Sequence, residues 1–160
     1  MAPSCAAKAS PGAAQVFEGA QSGPRAIAVS AGSVYWTTDG SGSAGQVCTY
    51  VRALALLGSY VYWTTAYGLR RTTRAPFATG SITEVDSTAS TVGLVADGTA
   101  VYFVAADGSV RRYAEGGPPV LLANGPAGAL FIAQDDAAVY WTAAPDVGAG
   151  SIMMLAKPPE

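Results

Sequence analysis

The side chains with the most chemical reach in this chain are two adjacent arginine pairs, Arg70-Arg71 and Arg111-Arg112. On β-strands, successive side chains point to opposite faces, so one member of each pair would face outward and the other would lie between sheets. Arg70, Arg71, Arg111 and Arg112 together form a candidate basic stripe for an anionic ligand or partner, since guanidinium groups recognise carboxylates and phosphates. The competing reading is four solvated or locally paired arginines, which contribute little.

Acid–base chemistry has fewer candidates. Histidine is absent from all 160 residues. That excludes Ser-His-Asp triads, His-assisted cysteine chemistry, typical catalytic zinc sites and any lyase that needs a histidine base. A carboxylate or lysine base stays open. Yet Glu18, Glu84, Glu115 and Glu160 are scattered, without the recurrent pairing of an acid/base couple, so no catalytic residue is assigned. Asp39, Asp97, Asp107, Asp135, Asp136 and Asp146 sit in turn-like sequence. Such loops supply oxygens to calcium, but aspartate in a turn also caps its own backbone and needs no ion. No EF-hand-like spacing is present, and no cofactor is assigned other than calcium as an alternative. Cys5 and Cys48 are the only cysteines. They form a candidate disulfide pinning the N-terminal segment, or else one free thiol in a tail and one small apolar residue in a strand.

The elements that must position these groups come from composition and repetition. Half of the residues are apolar and 12% are charged, with 19 glycines and 10 prolines distributed along the chain. Many short strands separated by turns produce that distribution. A formal net charge of −2 without a basic block argues against nucleic-acid binding by phosphate neutralisation. The apolar runs are too short for a transmembrane segment, and the N-terminus lacks the apolar stretch of a signal peptide.

The repeat is Val34-Tyr35-Trp36-Thr37-Thr38, then Val61-Tyr62-Trp63-Thr64-Thr65, Val101-Tyr102-Phe103-Val104 and Val139-Tyr140-Trp141-Thr142. Its tyrosines are 27, 40 and 38 residues apart. A period near 40 with four short strands per unit is the spacing of a propeller blade. Before each unit lies an apolar strand A (residues 26–29, 54–56, 93–96 and 129–132), joined by a tight turn to the Tyr-Trp strand B. After it comes a strand C that follows a glycine (45–50, 68–73, 108–113 and 150–155). A strand D is legible at 81–86 and 119–123, and residues 14–18 have the pattern of an isolated strand D able to clasp the last blade. The short first spacing leaves one blade reduced. Alternation along strand B sends each Tyr and its neighbouring Trp or Phe to opposite faces, so Tyr35, Trp36, Tyr62, Trp63, Tyr102, Phe103, Tyr140 and Trp141 are expected to pack between blades as structural core.

The run Pro24-Arg25-Ala26-Ile27-Ala28-Val29, a turn, and Val34-Tyr35-Trp36-Thr37-Thr38 resembles the YWTD-type propeller repeat of lipoprotein-receptor ectodomains. It resembles more closely the secreted propeller repeats of predicted bacterial proteins, notably myxobacterial ones. Thr38, Thr65 and Ala143 stand where that pattern has Asp, and about four repeats stand where the receptor family uses six. The resemblance implies an exported protein, extracellular or periplasmic, and says little about activity.

The expected protein is therefore all-β and propeller-like, with about four blades of antiparallel strands, one of them reduced, in a complete or partial ring. Residues 1–13 form a loosely packed or disordered segment, 14–156 the propeller repeats and 157–160 a C-terminal tail. The first expectation of function is a non-catalytic binding or scaffolding module for a protein or carbohydrate ligand, with a homodimer completing the propeller as a further arrangement. The alternatives are a lyase- or lactonase-like enzyme using a metal or carboxylate in the central channel, and a fragment of a larger propeller without independent function.

Overall fold

β-branched and aromatic residues crowd the segments that pair, and glycine, serine and aspartate occupy the links between them; that chemistry favours short strands joined by tight turns. A computed structural model describes residues 24–30, 33–38, 51–74, 82–144 and 148–159. Thirteen strands and no helix occur among these residues, so no helix is long and apolar enough to cross a membrane. Their chain order is β1 (Pro24–Ser30), β2 (Ser33–Thr38), β3 (Leu54–Leu57), β4 (Tyr60–Thr65), β5 (Gly68–Thr73), β6 (Thr83–Asp86), β7 (Thr91–Ala96), β8 (Ala100–Ala105), β9 (Ser109–Ala114), β10 (Val120–Asn124), β11 (Ala129–Gln134), β12 (Ala138–Ala143) and β13 (Ser151–Ala156).

They form four antiparallel sheets: β1-β2, β3-β4-β5-β6, β7-β8-β9-β10 and β11-β12-β13. Each sheet is a meander of neighbouring strands, as in a propeller blade. The first strand of each sheet is innermost, with β1 against β3, β3 against β7 and β7 against β11. Three of these inner strands carry a register shift near their start, between Pro24 and Ile27, Thr91 and Gly93, and Ala129 and Ile132. Such bulges bend a strand and increase its twist, which suits a strand that must curve around an axis.

The register shows why the aromatic repeat works. Tyr62 lies opposite Arg71, Tyr102 opposite Arg112 and Tyr140 opposite Met154, whereas Trp63, Phe103 and Trp141 lie opposite Arg70, Arg111 and Met153. Each tyrosine thus belongs to one face of its sheet and the next aromatic to the other. Tyr62 and Leu69 of the second sheet pack with Val101, Phe103 and Tyr113 of the third in one buried cluster. Tyr102, Val104 and Val110 on the other face of the third sheet pack with Val139 and Trp141 of the fourth. The second and third sheets therefore each offer a tyrosine face to the sheet after them, and the third and fourth each offer a Phe or Trp face to the sheet before them. Burying each such aromatic contributes about 1.5–3 kcal/mol.

Tyr140 departs from the expected core. It sits on the far face of the fourth sheet, half-buried, with its hydroxyl donating to Asp135 Oδ2 at 2.9 Å. No sheet follows the fourth among the described residues, so that face has no tyrosine pocket to fill. The expected side-chain roles of Tyr35 and Trp36, the strand D at 14–18, the segment 1–13, the strand C at 45–50 and the Cys5–Cys48 pairing lie outside the described residues.

The Asp-Gly turn at Asp97-Gly98 also works differently from a glycine-driven hairpin. Gly98 is not among the glycines of positive φ. Instead the Asp97 carboxylate accepts the amides of Thr99 at 2.8 Å and Ala100 at 2.9 Å. Asp135 does the same for Ala137 and Ala138, and Asp107 for Ser109. Asparagine-like local capping builds these turns. Asp39 and Asp146 lie outside the described residues.

Candidate functional site

Both faces of a middle blade meet a neighbour, and this decides where the arginines go. The members of each pair are sent to two different blade interfaces, so no common stripe forms. Arg70 reaches Glu84 of its own sheet, with Nη2 3.8 Å from Oε2. Arg71 crosses to the third sheet, where its Nη1 lies 3.8 Å from Glu115 Oε1. Its guanidinium stacks 4.2 Å from the Tyr60 ring centre and 5.6 Å from that of Tyr113, and it donates to the Tyr62 hydroxyl at 3.5 Å. Burial raises the Tyr62 phenol above its ordinary value, with Arg71 partly opposing the shift.

Arg111 crosses in the reverse direction. Its Nη1 donates to Asp86 Oδ2 of the second sheet at 2.9 Å and to the Thr88 hydroxyl. Burial alone would raise the Asp86 carboxyl, but the hydrogen bonds from Thr88 and Arg111 outweigh it, and its pKa is lowered. The Arg112 side chain makes no hydrogen bond or ion pair with a described residue, and its Nε is buried.

Lys157 was expected in a C-terminal tail, and it is instead a structural part of the last interface. Its amide donates to Ala137 O at 2.8 Å, and its Nζ donates to Asp97 Oδ2 at 2.9 Å and to Gln134 Oε1. Burial again works against ionisation of Asp97, yet Lys157 and the turn amides hold that carboxyl well below the usual range. Sequence reading missed Lys157, Asp86 and Gln134. Superposing the repeats would have flagged Lys157, because it stands two residues after Leu155 as Glu115 stands two after Tyr113, and Leu155 and Tyr113 hold the same register against Val139 and Val101.

These pairs differ in weight. Glu115 is 51% exposed at its side chain, so we expect Glu115→Gln to cost less than about 1 kcal/mol in a urea titration. A loss several times larger would show that Arg71 depends on that carboxylate rather than on its three tyrosines.

The inner strands line an open axial cleft of about 510 Å³. Ala28, Leu54, Leu56, Val95, Ile132 and Gln134 contribute to its wall, and of its ten described lining residues Gln134 alone has a polar side chain. Among the described residues the wall therefore offers apolar side chains, exposed backbone polar groups and one amide for orientation, and no side chain able to exchange a proton near neutral pH. Among the described residues no three His, Cys, Asp or Glu side chains converge as a metal site requires.

Repeated meander sheets around an apolar axis, tied at their interfaces by aromatics and ion pairs, define an all-β, propeller-like repeat protein. Its chain is similar in structure to the computationally designed Ika4 protein, with a TM-score of 0.60 at 18% identity over 85% of this chain and 93% of that one. BamB from Moraxella catarrhalis aligns with a TM-score of 0.49 at 17% identity, over 57% of this chain and 28% of that one. No family model and no curated protein matches the chain. At 18% identity, the likeness to Ika4 speaks to fold alone.

Proposed function

We propose that this chain is a non-catalytic binding module that holds an uncharged, apolar group of its ligand in the axial cleft. The lining carries the reading: among the described residues, nine apolar side chains, exposed backbone between them and one amide line an open cleft of ligand size without a titratable side chain. The charged residues with described partners serve the sheets themselves. The repeat pattern supports an exported bacterial protein, through its resemblance to secreted YWTD-like repeats. The test is titration with the neutral, polarity-sensitive dye Nile red. Binding with raised fluorescence is expected, weakened about tenfold or more in Ala133→Asp, which places an unpaired carboxylate at the exposed lip of the cleft. Absence of dye binding, or equal binding by the variant, would overturn the reading.

A second reading concerns assembly, and one observation favours it. On the far face of the fourth sheet, Phe131 is 72%, Ile152 82% and Met154 65% exposed. The equivalent faces of the second and third sheets are buried against the next sheet. The first sheet, at the other end of the series, leaves Ile27 exposed. Two apolar ends on one series of blades suit head-to-tail closure with a second copy of this chain, completing the propeller. Light scattering on a sizing column is expected to show a dimer that Ile152→Glu converts to a monomer. A wild-type monomer that Ile152→Glu destabilises would mean that the chain covers this face itself, and the dimer would be discarded.

A further inference from the structure

Repeat equivalence exposes a defect between the third and fourth sheets. Arg71 and Arg112 are equivalent residues, each opposite the repeat tyrosine of its own sheet. Around Arg71 stand Tyr60, Tyr113 and Glu115. The residues in those three places around Arg112 are Ala100, Leu155 and Lys157. Two rings have gone, and the partner carboxylate has become an ammonium group.

Space and an unpaired guanidinium follow. A cleft of about 430 Å³ opens beside Arg112, walled by Tyr102, Ala137, Pro158 and Pro159, with Lys157 at its edge. Lys157 Nζ lies 5.2 Å from the Tyr102 ring centre and is engaged by Asp97 and Gln134. The other charges lining the cleft are Asp97, already committed to Lys157 and the turn, and the exposed Asp136. Of the two cations lining the cleft, Arg112 is the one that makes no ion pair with a described residue. A planar fork of N–H donors with one flank buried pairs with two oxygens of an anion, and the ring and prolines favour an anion that carries an apolar body, as an organic carboxylate does and inorganic phosphate does not.

We infer that this cleft is a binding site for a small organic carboxylate, whose carboxylate takes at Arg112 the place that Glu115 takes at Arg71 and whose apolar body lies against Tyr102 and the two prolines. The site is separate from the axial cleft and stands or falls independently of the Nile red result.

Isothermal titration calorimetry with benzoate, its neutral isostere benzamide and inorganic phosphate tests the assignment. Benzoate is expected to bind at least about tenfold more tightly than benzamide, because the charge-assisted hydrogen bonds to Arg112 are lost with the amide. Arg112→Gln is expected to remove that preference, and Arg70→Gln to leave it unchanged. Gly98→Phe offers a route that spares the arginine: Gly98 lines the cleft, and a Cβ added there meets nothing within 4 Å. It is expected to block benzoate while melting like the wild type. Equal binding of benzoate and benzamide, no binding of either, displacement by equimolar phosphate, or full benzoate affinity in Gly98→Phe would each overturn the inference.

Discussion

Gly108→Ala is expected to lower the unfolding free energy by about 3–5 kcal/mol, a large share of the roughly 5–15 kcal/mol that holds a typical domain folded. Gly108 has φ +88°, a conformation that L side chains adopt only at a cost. A Cβ there would overlap the carbonyl oxygens of Gly125 and Pro126 and come within 2.7 Å of the Pro126 carbonyl carbon. Those atoms belong to backbone that Gly108 itself fixes, since its carbonyl accepts the Gly125 amide at 2.9 Å and its amide donates to Ala105 O at 2.9 Å. Neither partner can swing away as a side chain would. Gly68, with φ +129°, meets the Asp86 carbonyl in the same manner at the equivalent turn of the second sheet. Gly98→Ala is the control, because its added Cβ meets open space, and a change within about 1 kcal/mol is expected. If denaturant midpoints for Gly108→Ala and Gly98→Ala coincided, the strand-C glycine would have no special role.

The second large effect falls on the pair between the second and third sheets. Asp86 has a side chain only 4% exposed, and Arg111 Nη1 lies 2.9 Å from it. Asp86→Ala leaves a largely buried guanidinium without its carboxylate, a loss of about 3 kcal/mol. The pH dependence has a definite sign. The folded-state pKa of Asp86 lies below its unfolded value, so its contribution is complete above the unfolded pKa of about 4 and disappears as pH falls through the folded value. Asp97 and Asp107 are lowered too and add to the same acid limb. Unfolding free energy should therefore fall steadily below about pH 4, less steeply in Asp86→Ala than in the wild type. Parallel acid limbs for the two proteins would remove Asp86 from the account.

Much of this fold was legible in the residues because period and alternation are local signals. The Tyr-Trp strands, the apolar strands before them and the glycine-led strands after them fall within a residue or two of β4, β8 and β12, of β3, β7 and β11, and of β5, β9 and β13. The opposite-facing aromatics follow from the two-residue period alone, and Tyr62, Trp63, Tyr102, Phe103 and Trp141 are buried accordingly. Tyr140 carries the same local pattern and escapes burial, because burial depends on whether another sheet follows, and no residue near Tyr140 encodes that. The arginines show a similar limit. Their position in strand C was readable, but a stripe assumed that one face of the sheet looked outward. In this architecture both faces look at neighbours, so Arg71 meets Glu115 and Arg111 meets Asp86 across separations no local pattern reveals. Lys157 looked like tail because two prolines follow it, and only the pairing of β12 with β13 brings it to Asp97.

Similar repeats on one chain invite a particular error during folding, in which a blade docks on the wrong neighbour or on the matching blade of another molecule. The Tyr-Trp strands cannot prevent this, since their surfaces are nearly interchangeable. The charged contacts can. Arg71 asks its neighbour for a carboxylate after strand C, Arg111 asks for Asp86 from the sheet before it, and the boundary sealed by Lys157 asks for Asp97. A blade docked out of order would bring Lys157 toward Arg71, cation against cation, and leave Asp86 facing Met153. The ion pairs thus act as address labels: beyond what each adds to a correctly built molecule, their mismatch penalises a blade docked out of order.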